Sequence, residues 1–543
     1  MTPNPTPTHL FSNSLTDLAK NWRADAMAGF LVFLVALPLC LGVAMASGFP
    51  PMAGIITAVV GGLLVSRLGG SHLAITGPAA GLIVVILAAV ETLGQGDAMS
   101  GYKRTLAAIV CAGILQTLLG YGKAGRLSAF FPVAVVRGML AAIGIIIMTK
   151  QIFVLLGVHS EASAGLLQSI AQLPMALLHF HPQITAIGAV GLLIMVFWPM
   201  LEHPLLKRIP APLVVVVSGL IMGRLYDLDH YRAFFTLQPY EYSLGPQYLL
   251  PVPAQFLDNF YSPDFSLVFS TKFWGAVLGI CLVGSLESLL IGAAIDKLDP
   301  ERRRSDLNKD LSAIGIGNVL AGMLGGLPMI AEIVRSSTSI ENGAKTPWAN
   351  FFHSAFLLVF VALFPALLRE IPLASLAALL VYTGYRLASP REFARIFEIG
   401  AEQLAVFVIT ILAVLATDLL TGVLIGITAK LAIHLWLGVS LANLLSISYH
   451  IEQTDSDTYH VKLSGAAVFS NFIALKSEID ALPAGGTIIF DLTESALIDH
   501  TVMEFIADFS RSYTGNGGIC RISGLDNHSA QSDHPLALQK RDQ

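Results

Sequence analysis

The sequence predicts an all-α polytopic membrane domain followed by a small cytosolic α/β domain. Three observations carry that expectation. The chain of 543 residues is 54% hydrophobic and only 13% charged, with a mean hydropathy of +0.69, far from an average soluble domain. Apolar runs near the roughly 20 residues that a helix needs to cross a bilayer recur along it, among them "AMAGFLVFLVALPLCLGVAMA" (26–46), "ITAIGAVGLLIMVFWPML" (184–201) and "FWGAVLGICLVGSLESLLIGAAI" (273–295). Beyond residue 442 hydropathy falls, and strand and helix periodicities alternate.

The first 24 residues are polar and carry no short apolar core with a cleavage site, so no cleaved signal peptide is expected. Lys and Arg then set the orientation. Lys20 and Arg23 precede the first run, Lys123 and Arg126 share one loop, and Lys207 and Arg208 share another. "DKLDPERRRSDLNKD" (296–310) is the strongest basic cluster, and Arg386, Arg391 and Arg395 form one more. The loops between are poorer in basic residues. Placing the basic loops in the cytoplasm of an inner-membrane protein puts both termini inside and makes the span count even, about fourteen by the length rule. The net charge of −5 points to no nucleic-acid partner. Cys40, Cys111, Cys281 and Cys520 are scattered and read as small buried hydrophobes.

The expected organisation is a cytosolic segment over 1–21, a membrane domain over 22–442, an α/β domain over 443–526 and a disordered tail over 527–543. In the α/β domain, "YHVKLSG" alternates as a strand does, "NFIALKSEIDAL" is amphipathic at helical spacing, "TIIFDL" is a buried strand, "TVMEFIADFSRSY" a helix and "GICRIS" a strand. That order implies a small parallel sheet with right-handed crossovers.

Two segments of the membrane domain are broken. "ITGPAAGL" (75–82) and "GGLPMIAE" (325–332) each open a stretch too short to cross alone, and Pro78 and Pro328 lie 250 positions apart. Paired interrupted segments in two halves point to a transporter site, and an odd number of spans per half gives the halves opposite orientation. A helix starting in mid-membrane leaves its first N–H groups without intrahelical partners, and they carry the positive end of the helix dipole. Proline suits such a start because it has no N–H to orphan, and glycine allows close approach. Two such ends facing each other form a cradle for an anion, which Arg335, one turn into the second half-helix, strengthens.

Glu287 lies in the middle of the 273–295 run with no other acid in it. An intramembrane carboxylate is a functional candidate; the alternatives are a hydrogen bond to Ser285 or Ser288, or a pair with Arg335. Glu332 in the first turn has a plain structural reading, an i,i+3 pair with Arg335. Asp25 and Asp418 read as caps at span ends. His179 and His181 lack a ligand cluster, so no metal is expected, and the absence of a phosphate-binding Gly-Lys-Ser/Thr loop leaves ATP-driven pumping without support.

These features resemble the sulfate permease (SulP) family of anion transporters, over nearly the whole chain from "WRADAMAGF" to "RISGL". "ILQTLLGYGKAGRLSAFFPVAVVRGMLAAIGIIIMTKQIFVLLG" (114–157) resembles the family's fourth and fifth spans, and "TDLLTGVLIGI" (417–427) its last two. "FDLTESALIDHT" (490–501) is similar to the central strand and following loop of a STAS domain. The resemblance implies two inverted repeats of seven spans divided into core and gate domains, with the anion between half-helices in the third and tenth spans. The implied substrate-binding positions are Gly77, Pro78, Ala79, Ala80, Ala331, Glu332, Ile333 and Arg335, with Glu287 as the coupling residue. Thr501 matches the loop where anti-sigma antagonists carry a phosphorylatable hydroxyl, although His500 is unusual there. No cofactor is implied beyond a coupling proton or Na+, and the implied partners are a small inorganic anion, the lipid bilayer, a second copy in a homodimer and a cytosolic regulator at the STAS domain.

The chain departs from the family at Ala79, Ile291 and Ile333, where sodium-coupled bicarbonate members carry hydroxyls, at Glu332, where a small or hydroxyl residue is common, and at Leu39, where a glutamine is common. The flavour of "SIENGAKTPWANFFH" favours bicarbonate over sulfate. The expected activity is secondary active anion transport, with exchange or channel conduction as alternatives. A membrane-tethered signalling protein and a nucleobase transporter compete. The buried acid and paired half-helices argue against the first, and a cationic cradle that a neutral base does not need argues against the second.

Overall fold

The computed structural model describes residues 15–123, 132–158, 166–203, 209–235, 241–252, 260–301, 303–455, 457–479, 482–483, 485–515 and 517–542. Arg126, Lys207, Arg208 and most of the 157–165 loop, on which part of the orientation rests, lie outside them. The chain divides into two compact units, residues 1–125 with 143–386, and residues 126–142 with 387–543.

The first unit is helical. It begins with α1 (Leu15–Ala46), α2 (Pro51–Val60) and α3 (Ser66–Leu68), the last two joined by a wide π turn over Gly61–Val65. The strand β1 (Thr76–Pro78), α4 (Ile83–Gly94) and α5 (Ala98–Tyr121) follow, and α6 (Val133–Leu156) contributes to both units. Next come α7 (Leu166–Leu178), α8 (Pro182–Phe197), α9 (Ala211–Leu225) and the hairpin β2 (Arg232–Phe235) with β3 (Glu241–Leu244). The second half runs through α10 (Thr271–Leu298), α11 (Leu307–Leu324), β4 (Met329–Ala331), α12 (Ile333–Glu341), α13 (Trp348–Leu363), α14 (Pro365–Arg369) and α15 (Leu373–Leu387). Among the described residues, seven helical segments of the whole chain are long and apolar enough to cross a membrane, and four shorter ones are apolar.

The two broken segments meet. β1 and β4 pair antiparallel, with Thr76 opposite Ala331, Gly77 opposite Ile330 and Pro78 opposite Met329. Each extended segment satisfies backbone groups of the other, as irregular backbone at membrane depth requires. This corrects one expectation: the prolines do not open the helices. Pro78 ends β1, and its helix begins with a 3-10 turn at Ala80. Pro328 precedes β4, and α12 begins five residues later at Ile333. The half-helices themselves are real and short. α4 has 12 residues and α12 nine, about 18 and 14 Å against a hydrocarbon core about 30 Å thick.

Asp25 is also not a cap of its own helix. It lies within α1, is fully buried, and accepts from Lys345 N, Thr346 N and Thr346 Oγ1, tying α1 to the turn before α13. Asp418 does cap as expected, accepting from Thr421 N at the start of the last apolar helix.

The second unit holds α16 (Pro390–Ile399), α17 (Ala401–Ala416), α18 (Leu419–Trp436) and α19 (Leu441–Leu445). These lead into β5 (Ser448–Asp455), β6 (Thr458–Ala467), α20 (Ile473–Ile479), β7 (Thr487–Ile498), α21 (His500–Gly515), β8 (Ile519–Ser523), β9 (His528–Ala530) and β10 (Gln539–Arg541). β6, β7 and β8 form the expected parallel ladder, over a core that includes Val461, Leu463, Ile488, Phe490, Val502 and Ile506. The sheet is mixed, however. β5 adds as an antiparallel neighbour of β6, in a stretch whose charged and polar residues hide the alternation. Residues 527–543, expected to be disordered, carry β9 and β10; β10 pairs antiparallel with the end of β7, and Ala537 and Leu538 are fully buried. The short apolar stretch Leu536, Ala537 and Leu538 in a mostly polar tail seats it once the end of β7 offers an open edge.

Candidate functional site

The site grows from the crossing of β1 and β4, and several side chains fix that crossing. Asn318 of α11 grips β4 twice, accepting from Met329 N at 2.6 Å and donating to Met329 O at 3.3 Å, while donating also to Gln116 Oε1 at 2.7 Å. Thr57 Oγ1 donates to Leu327 O at 2.9 Å, and Tyr102 OH donates to Gly325 O at 2.8 Å. Asn350 Nδ2 donates to Thr76 Oγ1 at 3.0 Å. Ser336 bridges the segments, its hydroxyl accepting from Ile75 N and donating to Glu332 O, while Glu332 N donates to Ile75 O. Several of the carbonyl and N–H groups freed by the broken helices thus have named partners, which helps the breaks persist among apolar neighbours.

Arg335 sits at the third position of α12 and is 1% exposed. Its Nη2 donates to Pro78 O at 3.2 Å. A Cβ on Gly77 would lie 2.3 Å from its Nη1, so the guanidinium approaches the backbone of β1 only because residue 77 has no side chain. Among the described residues, Nε and Nη1 of this buried cation have no hydrogen-bond acceptor. Cys40 of α1 and the fully buried His353 of α13 belong to its surroundings.

Glu287 lies in the middle of α10, buried, and neither carboxylate oxygen accepts a hydrogen bond from the described residues. Neither alternative reading of it holds: Ser288 donates instead to Gly284 O, and among the described residues no ion pair joins Glu287 to Arg335. The carboxylate rests on Gly81, where a Cβ would meet Oε1 at 1.9 Å. Helix α10 therefore approaches the start of the first half-helix closely enough to lay an acid on its backbone.

Glu332 is the residue before the first turn of α12, with φ −116° and ψ 116°, and its side chain makes no capping bond. It forms no ion pair with Arg335 among the described residues. It is partly exposed. Ala79 is extended and buried, Ala80 opens the 3-10 turn, and Ala331 is fully buried opposite Thr76. Ile291 and Ile333 pack with Ala331 in one apolar cluster, so these positions offer no side-chain oxygen. The expected site residues thus converge on one crossing. Gly81, Asn318, Gln116 and Ser336 were not foreseen; the Gly after "PAA" was the one signal in sequence, since small polar residues in apolar helices do not announce their partners. Thr501 is elsewhere, the second residue of α21 and half-buried.

Residues 22–410 match the Sulfate permease family. YvdB of Bacillus subtilis (strain 168), which bears a sulfate-transporter name, is 26% identical over 409 residues, covering 75% of this chain and 72% of its own. The bicarbonate transporter BicA of Picosynechococcus sp. is 27% identical over 412 residues, 75% of this chain and 69% of its own. The inward-facing structure of the murine Solute Carrier 26 family member A9 anion transporter superposes with a TM-score of 0.64 at 15% identity, over 95% of this chain and 90% of that one. The helical membrane domain and the C-terminal mixed sheet, which agrees with a STAS domain, share that fold.

Proposed function

The chain belongs to the sulfate permease family and is a multi-pass anion transporter; from that premise we propose that it moves bicarbonate or sulfate by secondary active transport, binding the anion between the starts of α4 and α12. The observation that carries this reading is Arg335, a buried guanidinium beside a mid-chain helix start, with two nitrogens that have no hydrogen-bond acceptor among the described residues. A buried cation left half-paired costs several kcal/mol, and an anion accepting from Nε and Nη1 in the fork geometry of arginine offsets that cost. The N–H groups at the two helix starts add partial positive charge.

Glu287 is the coupling residue in this reading. A carboxylate with no donor in reach is far cheaper to bury neutral than charged, so it binds a proton and releases it when its surroundings are hydrated. Ala79, Ile291 and Ile333 place carbon where a side-chain sodium ligand would stand, which favours a proton over Na+. BicA carries a bicarbonate-transporter name and YvdB a sulfate one, so both anions belong in the test. Inverted repeats, cytoplasmic termini and a homodimer complete the expectation.

The experiment is uptake of labelled bicarbonate and sulfate into proteoliposomes, with proton and sodium gradients imposed separately. Concentrative uptake of one anion driven by the proton gradient is expected. Uptake that only equilibrates under every gradient would replace this reading with exchange or channel conduction.

A further inference from the structure

The last apolar helix, α18, carries two buried basic residues one turn apart, and both lie with an acid of the sheet domain. Lys430 is 1% exposed, and its Nζ has no hydrogen-bond acceptor among the described residues. His434 is fully buried, its Nε2 lies 3.7 Å from Asp499 Oδ2, and its ring packs on Phe469 with centroids 5.8 Å apart. Asp499, also fully buried, acts on Lys430 as well, as does Glu402 of α17.

Asp499 has a second occupation. It is the residue before α21, and its Oδ1 accepts from Val502 N at 2.9 Å in the manner of an N-cap. Its Oδ2 accepts from Phe469 N at 2.9 Å, which fixes the turn after β6. One carboxylate therefore holds the first turn of α21, the turn after β6 and the counter-charge for α18. An apolar cluster of Val439, Leu444, Ala466, Val468, Leu497 and Leu538, with Leu431 of α18 packed on it, closes the surroundings.

We propose that Asp499, His434 and Lys430 form a latch that couples the first turn of α21 to the last membrane helix, so that a change at that turn is transmitted to α18. The two-state element is the turn itself. Formed, it aims Asp499 at α18. Frayed, it withdraws the carboxylate, leaving Lys430 without that counter-charge and His434 without the carboxylate beside its ring, a costly state that α18 relieves by shifting or opening. A negative charge introduced at Thr501, the second residue of α21, acts directly on this element. The latch stands apart from the transport reading, and its test has no transport readout.

The test is hydrogen exchange on the full chain in lipid nanodiscs. Asp499→Asn keeps an oxygen for Val502 N, gives up the acceptor for Phe469 N and removes the charge. It is expected to speed exchange by about five-fold or more in both the first turn of α21 and the segment 434–440. Faster exchange confined to α21, or none, overturns the latch. A second comparison does not depend on that variant folding. Thr501→Glu should change exchange over 434–440 in the wild type and leave it unchanged when Lys430→Met and His434→Gln are present. The same response in both backgrounds, or no response in the wild type, overturns it equally.

Discussion

Arg335 donates from Nη2 to the carbonyl oxygen of Pro78 at 3.2 Å, joining residues 257 positions apart. The cation belongs to the second half-helix, yet it is anchored on the backbone that leads into the first. Its remaining nitrogens are held at the crossing of β1 and β4 instead of swinging free. A guanidinium already fixed loses little further freedom when an anion accepts from it.

Arg335→Ala is expected to weaken anion binding by at least about 1 kcal/mol, the low end for losing a charge-assisted hydrogen bond. Arg335→Lys should recover only part of it, because an ammonium cannot reach Pro78 O and present a fork at once. Calorimetric titration of folded, purified protein checks both, and unchanged affinity in the alanine variant would remove Arg335 from the site.

Gly81→Ala places a methyl group where Glu287 Oε1 lies. Alanine in place of helical glycine ordinarily stabilises by about 1 kcal/mol, so a variant that folds well but no longer concentrates anion separates the contact from general stability. Glu287→Gln should share that phenotype while keeping exchange. Concentrative uptake by either variant at the wild-type level would free the carboxylate from coupling.

Glu332 precedes the first turn of α12, the helix end at which the anion is proposed to bind, and among the described residues it has neither a capping bond nor an ion pair with Arg335. Binding an anion beside it is easier once it takes up a proton. Wild-type affinity should therefore fall as pH rises, and Glu332→Gln should lose most of that dependence. Anion titrations across about pH 5 to 8, where buried carboxylates can titrate, decide it; superimposable profiles would mean that Glu332 plays no part in proton uptake.

Asn318→Ala removes both bonds to Met329 and the one to Gln116. With those buried groups left unpaired the cost is about 1 to 3 kcal/mol for each group, enough to lower the thermal midpoint clearly. The anion affinity should fall too, since β4 carries the lead into α12. A variant with a lower midpoint and native affinity would show that the crossing keeps its shape without the clamp.

Removing residues 527–543 deletes β9 and β10 and exposes the pocket that Leu538 fills. Burying a leucine side chain contributes about 2 kcal/mol, so the truncated sheet domain should unfold at lower denaturant concentration. An unchanged midpoint would mean that the tail contributes nothing to the fold.

The membrane class, the two broken segments and the buried charged residues Glu287 and Arg335 were legible in the sequence because bilayer energetics act locally. A run of apolar residues, a Gly-Pro interruption or a lone charge is costly or cheap largely whatever surrounds it. The parallel strands β6, β7 and β8 were legible for a similar reason, since their alternation records two faces. What the tertiary structure decided depends on partners far along the chain. Pro78 ends a strand because Met329 lies opposite it, Asp25 serves the turn before α13, and the tail is ordered because β7 leaves an edge open. Glu332 and Arg335 stand three apart, the spacing of a helical ion pair. The extended backbone at Glu332 takes that residue out of the helix, and Pro78 O takes a place on Arg335. Spacing fixes which side chains share a face only where the backbone is regular, and the candidate site lies where it is not.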